Sequence, residues 1–185
     1  MPDLNTQLHL DMLKKARKRL SLSSRVKYAV KIILGKEDMY GLEWGDPEKV
    51  DPLRYIKNHF LIPYINNNST IIEIGPGGGR WTRYMLTAKQ IFAVDFYQSV
   101  LDELKKNYDL PNIMFVKNNG TDFQNITPKS IDLISSFGTF VHLDIELIDE
   151  YLKNIKLLLK PSSNVIIQYS DKTKPLGYDR IVNSR

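Results

Sequence analysis

The chain contains no cysteine, which excludes disulfides, thiolate metal ligands and a nucleophilic thiol. Its three histidines, His9, His59 and His142, lie far apart in the sequence. A histidine-built metal cluster is therefore not expected. No apolar run approaches the roughly 18 residues of a membrane span. The start, Met1-Pro2-Asp3-Leu4-Asn5, lacks the basic-then-apolar order of a secretory signal. The expectation is a cytoplasmic protein with no metal and no transmembrane segment.

What is present suits one globular domain: 185 residues, of which 42% are hydrophobic and 25% charged. The net charge of +5 is concentrated at one end. Residues 1–36 carry nine Lys and Arg against two Asp, a surplus of +7 that leaves the rest slightly acidic. Residues 5–20 read as a basic helix with a thin apolar stripe. A second helix runs from a Ser24 cap to Gly35, with Val26, Ala29, Val30, Ile33 and Leu34 on one face. The bland expectation is that it covers the main domain. The basic face is a candidate surface for nucleic acid or anionic lipid. These helices and the Gly- and aromatic-rich stretch after them form residues 1–50, a basic extension in which Tyr40 and Trp44 are candidates for a lid.

From residue 51 the pattern changes. Asp51-Pro52 reads as a helix start, cap then first-turn Pro, of a helix carrying Leu53, Ile56, Phe60 and Leu61 and ending before Pro63 or soon after it; Asn66-Asn67-Asn68-Ser69 reads as a turn. Short apolar strands then alternate with helices. Strands are expected around 70–74, 91–94, 113–116, 131–135 and 164–169, and helices from Gln98 to Asn107 and from an Asp144 cap to Lys160-Pro161. Repeated β-α units of this kind imply an α/β, doubly wound, mostly parallel sheet.

The first strand runs into the most informative stretch, Glu73-Ile74-Gly75-Pro76-Gly77-Gly78-Gly79-Arg80-Trp81-Thr82. A strand, a Gly-rich turn and a helix resuming at Arg80 would let backbone approach a nucleotide-like ligand and offer helix-start N–H groups to it. The dinucleotide spacing fits Gly75 and Gly77 but meets Arg80 at its last position, and no Lys comes next as in a P-loop. An acid succeeded by glycines at alternate positions, Glu73-x-Gly75-x-Gly77-x-Gly79, resembles motif I of the class I S-adenosylmethionine methyltransferases. In that family the acid faces the methionine portion of the ligand. The choice is sensible, since this ligand has an ammonium and a sulfonium but no phosphate.

Strand-end residues extend the reading. Asp95 stands 20 residues after Gly75, where a carboxylate accepts both ribose hydroxyls; a helix-capping role is the alternative. Phe96 beside it is placed to lie against an adenine. Gly120-Thr121-Asp122-Phe123 is similar to the family's next motif, which implies that Asp122 takes the adenine amino group and that Asp122 and Phe123 belong to the cofactor site. A turn-only role is the alternative. After the fourth strand comes His142, where a general base for a hydroxyl acceptor would sit. Its rivals are a hydrogen bond to the turn and a purely pocket-shaping role.

The resemblance covers about residues 50–170 and implies S-adenosyl-L-methionine as cofactor and methyl transfer to an oxygen or nitrogen of a small molecule. Gly-Gly-Gly-Arg-Trp-Thr looks like a subgroup assigned to small molecules, sugars among them. The family sheet usually continues past the fifth strand with a helix and a hairpin. Here residues 51–185 read as a C-terminally abbreviated domain or a fragment. Two other functions remain: a non-catalytic cofactor-binding scaffold, and an RNA methyltransferase using the basic N-terminal helices.

Overall fold

The computed structural model describes residues 41–171 and residue 173. The two N-terminal helices expected from the sequence, and Tyr40, lie outside the described residues.

Five strands form one sheet: β1 (Thr70–Ile74), β2 (Gln90–Asp95), β3 (Ile113–Lys117), β4 (Ile131–Ser136) and β5 (Leu159–Ile167). Their order is β3-β2-β1-β4-β5 and every pairing is parallel. β1 is central. Its register sets Ile72 beside Phe92 on β2 and Ile134 on β4.

Alternation along β1 feeds two cores. Ile71 joins Leu61, Ile91, Leu101, Leu104 and Leu133 on one face, whereas Ile72 and Ile74 join Ile134, Tyr151, Ile155 and Leu158 on the other. Each of these isoleucines, fully buried, contributes on the order of 1.5–3 kcal/mol of transfer free energy. The first core is covered by α1 (Asp51–Ile56) with the turns after it, and by α2 (Gln98–Asn107). The second is covered by α3 (Ile145–Leu158). α2 inserts Val100, Leu101 and Leu104 and places Lys105 and Lys106 near its C-terminal end, where they suit the helix dipole. No helix among the described residues is long and apolar enough to cross a membrane.

Three local features differ from the sequence expectation. No α-helix resumes at Arg80; residues 77–81 are turns and Thr82–Tyr84 is a single 3₁₀ turn. Trp, Thr and Tyr are weak helix formers. Three consecutive side chains are also held by different partners. Arg80 Nη1 donates to Gly45 O at 3.2 Å, the Trp81 ring stacks on Phe137 at 4.1 Å, and Thr82 bonds to Glu73. The glycines therefore lead into turns, which offer no α-helix N-terminus to a ligand. Second, α1 runs only to Ile56, then widens into a π-type turn (Lys57–Leu61) and a 3₁₀ turn (Ile62–Tyr64), and Asp51 is its first helical residue after a Val50 cap. Third, β5 begins at Leu159 and not at Asn164. A bulge between the pairs Ile131↔Leu159 and Leu133↔Asn164 absorbs Pro161, which cannot donate to the ladder.

The Gly79 backbone is in the left-handed region (φ +101°), and a β-carbon there would overlap the Tyr108 ring just beyond α2. At Gly120 (φ +127°) nothing lies within 4 Å of that position. Gly79→Ala is expected to cost about 2–4 kcal/mol and Gly120→Ala about 1 kcal/mol, as backbone strain alone. Thermal unfolding of both variants checks the ranking, and equal losses would mean that Tyr108 moves aside.

Candidate functional site

The carboxyl ends of β1 to β4 are tied together by short polar links. Gly75 N–H donates to Val94 O at 2.9 Å, joining the turn after β1 to β2. Asn118 N–H donates to Asp95 O at 3.0 Å, joining the loop after β3 to β2. Ser136 Oγ at the end of β4 and Thr139 Oγ1 from the turn after it both donate to Ile74 O, at 2.9 and 3.3 Å. Ligands of parallel α/β sheets lie outside this edge.

Gly75 has φ +69°, and a β-carbon on it would overlap Thr139 Oγ1. Only glycine fits. Gly77 also has positive φ (+59°), and the turn leans on the end of α2 through Asn107 Nδ2, which donates to Gly78 O at 2.9 Å. Glu73 lies beneath this turn, 3% exposed, with Ala93 and Ser135 beside it on the neighbouring strands. Thr82 Oγ1 donates to its Oε2 at 2.5 Å. Burial pushes the Glu73 carboxyl up to about 8, against the opposing pull of the Thr82 hydroxyl and the Arg80 charge.

Asp95 closes β2. Burial raises its carboxyl to about 6, and the backbone N–H groups of Tyr97 and Phe96 oppose the rise. Its Oδ1 accepts the Tyr97 N–H at 2.8 Å, at the residue that caps α2. The helix-capping role weighed as the alternative for Asp95 is not seen, since Tyr97 is itself the N-cap and α2 has no side-chain cap bond; the contact fixes the turn between β2 and α2 and engages one of the two oxygens. Phe96 is 37% exposed beside it, edge-on to Tyr97.

After β3, Asp122 closes its own loop: Oδ1 accepts Asn119 N–H and Oδ2 accepts Gln124 Nε2, both at 2.6 Å. Phe123 packs edge-on against Tyr151 of α3, 5.9 Å between centroids. After β4, the 3₁₀ turn Phe140–His142 buries Phe140 and leaves His142 exposed, its N–H donating to Thr139 O at 3.0 Å. Glycine turn, Asp95, the Asp122 loop and the His142 turn therefore share one edge of the sheet. Glu73 does not reach that surface.

Three residues escaped the sequence reading. Thr82 sits in what reads as a helix. Thr139 matters only because Gly75 has no side chain. Asn118 is fully buried, with Nδ2 donating to Gly120 O at 3.1 Å and to the Tyr151 hydroxyl at 2.9 Å, while Oδ1 has no partner among the described residues. Its place directly after β3, one strand from Asp95, was the available signal.

The strap before α1 is fastened to the same region. Asp46 pairs with Arg83, Lys57 Nζ reaches Glu48 at 2.8 Å, and Arg54 bonds Glu48 O. Trp44 stands 52% exposed on the turn Leu42–Trp44, flanked by Gly41 and Gly45. No metal-type cluster of three His, Asp or Glu occurs among the described residues.

The structure is an α/β domain whose candidate residues gather at the carboxyl ends of a parallel sheet. Residues 71–162 match the family described as a methyltransferase domain. Over 105 residues the chain is 32% identical to an uncharacterised methyltransferase of Schizosaccharomyces pombe, covering 56% of this chain and 39% of that protein. A methyltransferase-like protein of the same organism is 29% identical over 145 residues, 76% of this chain and 53% of that one. The chain thus spans about two fifths to half of the length of these relatives. A solved complex of DhpI with SAH shares the fold, with a TM-score of 0.56 at 16% identity, covering 72% of this chain and 62% of that one. Residues 71–162 thus carry a methyltransferase domain, with the fold of the class I S-adenosylmethionine-dependent methyltransferases.

The buried Glu73 carboxyl makes the stability of the fold depend on pH. The folded chain holds its proton up to about pH 8, whereas an unfolded Glu releases it near 4.5. The associated stability is complete below pH 4.5 and lost as pH rises toward 8. Asp95 acts in the same direction but only up to about pH 6. Between pH 6 and 8 the ligand-free protein is expected to lose stability at up to about 1.4 kcal/mol per pH unit, and Glu73→Gln to flatten that slope. Denaturant melts at each pH measure both; parallel slopes in the two proteins would contradict the buried, neutral Glu73.

Proposed function

We propose that this chain is an S-adenosylmethionine-dependent methyltransferase that moves a methyl group to an oxygen or nitrogen of a small molecule. The observation that carries the reading is the juxtaposition of the Gly75 turn and Asp95 at adjacent strand ends, linked by Gly75 N–H to Val94 O. The residues present fit the cofactor. Asp95, raised to about 6 and with one oxygen engaged by Tyr97, gains from two ribose hydroxyls, which favour its ionised form. Phe96 offers an exposed ring beside it for the adenine. Asp122, each of whose oxygens accepts a hydrogen bond within its loop, keeps lone pairs for an adenine amino group. Glu73, which keeps its proton in the ligand-free chain, becomes a counter-charge beneath the turn when an ammonium arrives.

When bound, S-adenosylmethionine supplies a methyl group already activated by its positive sulfur. The work left to the chain is alignment of the acceptor and exclusion of water. His142, exposed on the turn after β4, takes the proton of a hydroxyl acceptor, and Trp44 on its fastened strap helps to cover the site. The small-molecule assignment rests on the wording around Gly77-Gly78-Gly79-Arg80-Trp81-Thr82, and the cytoplasmic location expected from the sequence is part of the same reading.

Calorimetry with S-adenosylmethionine and S-adenosylhomocysteine tests the cofactor. Asp95→Ala is expected to weaken both by a factor of roughly 10–100, the value of hydrogen bonds to a charged group. The parent should bind about tenfold more weakly per pH unit below 6, where Asp95 takes up its proton, and Asp95→Asn should remove that dependence. A folded parent that binds neither ligand sinks the reading. Once an acceptor is found by screening with methyl-labelled cofactor, His142→Gln should slow a single turnover by about 100-fold with cofactor affinity unchanged. An unaltered rate removes His142 from the chemistry.

A further inference from the structure

Thr82 is fully buried, nine residues after Glu73, and its hydroxyl meets the Glu73 carboxyl at 2.5 Å. A buried threonine in a helix ordinarily turns its hydroxyl back to a carbonyl three or four residues earlier. Here the segment is a run of turns, so the hydroxyl is committed to a side chain on the central strand. We infer that Thr82 is a positioning residue for the ligand's ammonium group, its hydroxyl orienting the Glu73 carboxyl beneath the glycine turn and favouring its charged form. The inference rests on the S-adenosylmethionine reading above and adds the residue that makes its acid usable.

The surroundings explain why such help is needed. Glu73 is 3% exposed, and its strand neighbours Ala93 and Ser135 bring no charge to it. Among the ionisable groups, Arg80 from the turn draws the carboxyl toward its charged form, while the neutral Tyr108 phenol beyond α2 lies within its electrostatic reach. Thr82 opposes the effect of burial more than Arg80 does. Removing the hydroxyl leaves a carboxyl that keeps its proton more firmly and binds a cation less well. An arriving ammonium supplies the missing charge, so binding drives the proton off Glu73.

The test compares two ligands that differ at the relevant group. 5′-Methylthioadenosine keeps the adenosine and the sulfur but lacks the ammonium and carboxylate. Calorimetry at pH 7 is expected to show Thr82→Val weakening S-adenosylhomocysteine by about tenfold while 5′-methylthioadenosine changes less than about twofold. Thr82→Ser, which keeps the hydroxyl, should behave as the parent. In a Glu73→Gln background Thr82→Val should add no further loss for S-adenosylhomocysteine. The deficit of Thr82→Val should also shrink as pH rises past about 8, first because the parent is then already ionised and at higher pH because Glu73 of the variant ionises too. Equal losses for both ligands would mean a merely structural Thr82, and an unchanged S-adenosylhomocysteine affinity would remove it from the site; either result overturns the inference while leaving the cofactor reading intact. A folded parent that binds neither ligand overturns both.

Discussion

The structure depends on one strand. β1 is hydrogen-bonded on both sides, buried on both faces, and must stop at a residue without a side chain. Thr139 from the turn after β4 occupies the space where a Gly75 β-carbon would lie. The Thr139 hydroxyl and that of Ser136 grip the last carbonyl of β1. The end of the central strand, the glycine turn and the post-β4 loop are therefore one packed unit, and the position of every candidate site residue refers back to it.

Burying polar groups in that unit is costly, and the cost is met unevenly. Asn118 satisfies its amide N–H groups on Gly120 and Tyr151 but leaves Oδ1 without a partner among the described residues. Asp95 and Glu73 are both raised by burial, one to about 6 and the other to about 8. A core optimised for stability alone would avoid such groups, and their concentration at the strand ends fits a site that awaits donors and positive charge. α3 supports the arrangement at a distance. Its Tyr151 and Asn154 hold the loop after β3, while Tyr151 also packs against Phe140 before His142.

The strap of residues 41–50 connects this unit to the chain preceding it. Arg80 and Arg83, close behind the glycine turn, bind Gly45 and Asp46. A residue of the strap cannot shift far without straining the turn beneath it. Trp44 is the exposed part of the strap, with Gly41 and Gly45, both at positive φ, on either side of its turn.

Much of this was legible in the sequence because it is local. Strand positions come from short apolar β-branched runs, and α2 from Val100, Leu101 and Leu104 at helical spacing. The glycine pattern with Asp95 twenty residues later pointed to the family and to the edge of the sheet that matters. What could not be read depends on partners distant in sequence. Arg80 to Tyr84 look helical by apolar spacing, yet Gly45, Phe137 and Glu73 pull consecutive side chains in different directions and prevent a helix. The bulge in β5 answers to Ile131 and Leu133 on another strand. The protonation of Glu73 and the roles of Thr82, Asn118 and Thr139 arise only when separated segments are brought within hydrogen-bonding distance. Neighbouring residues set which elements form and which residue types stand at the strand ends, because strand and helix patterns are local. Which of those groups are charged, held or, among the described residues, left without a partner follows from the assembled sheet, because burial and hydrogen bonding arise between segments distant in the chain.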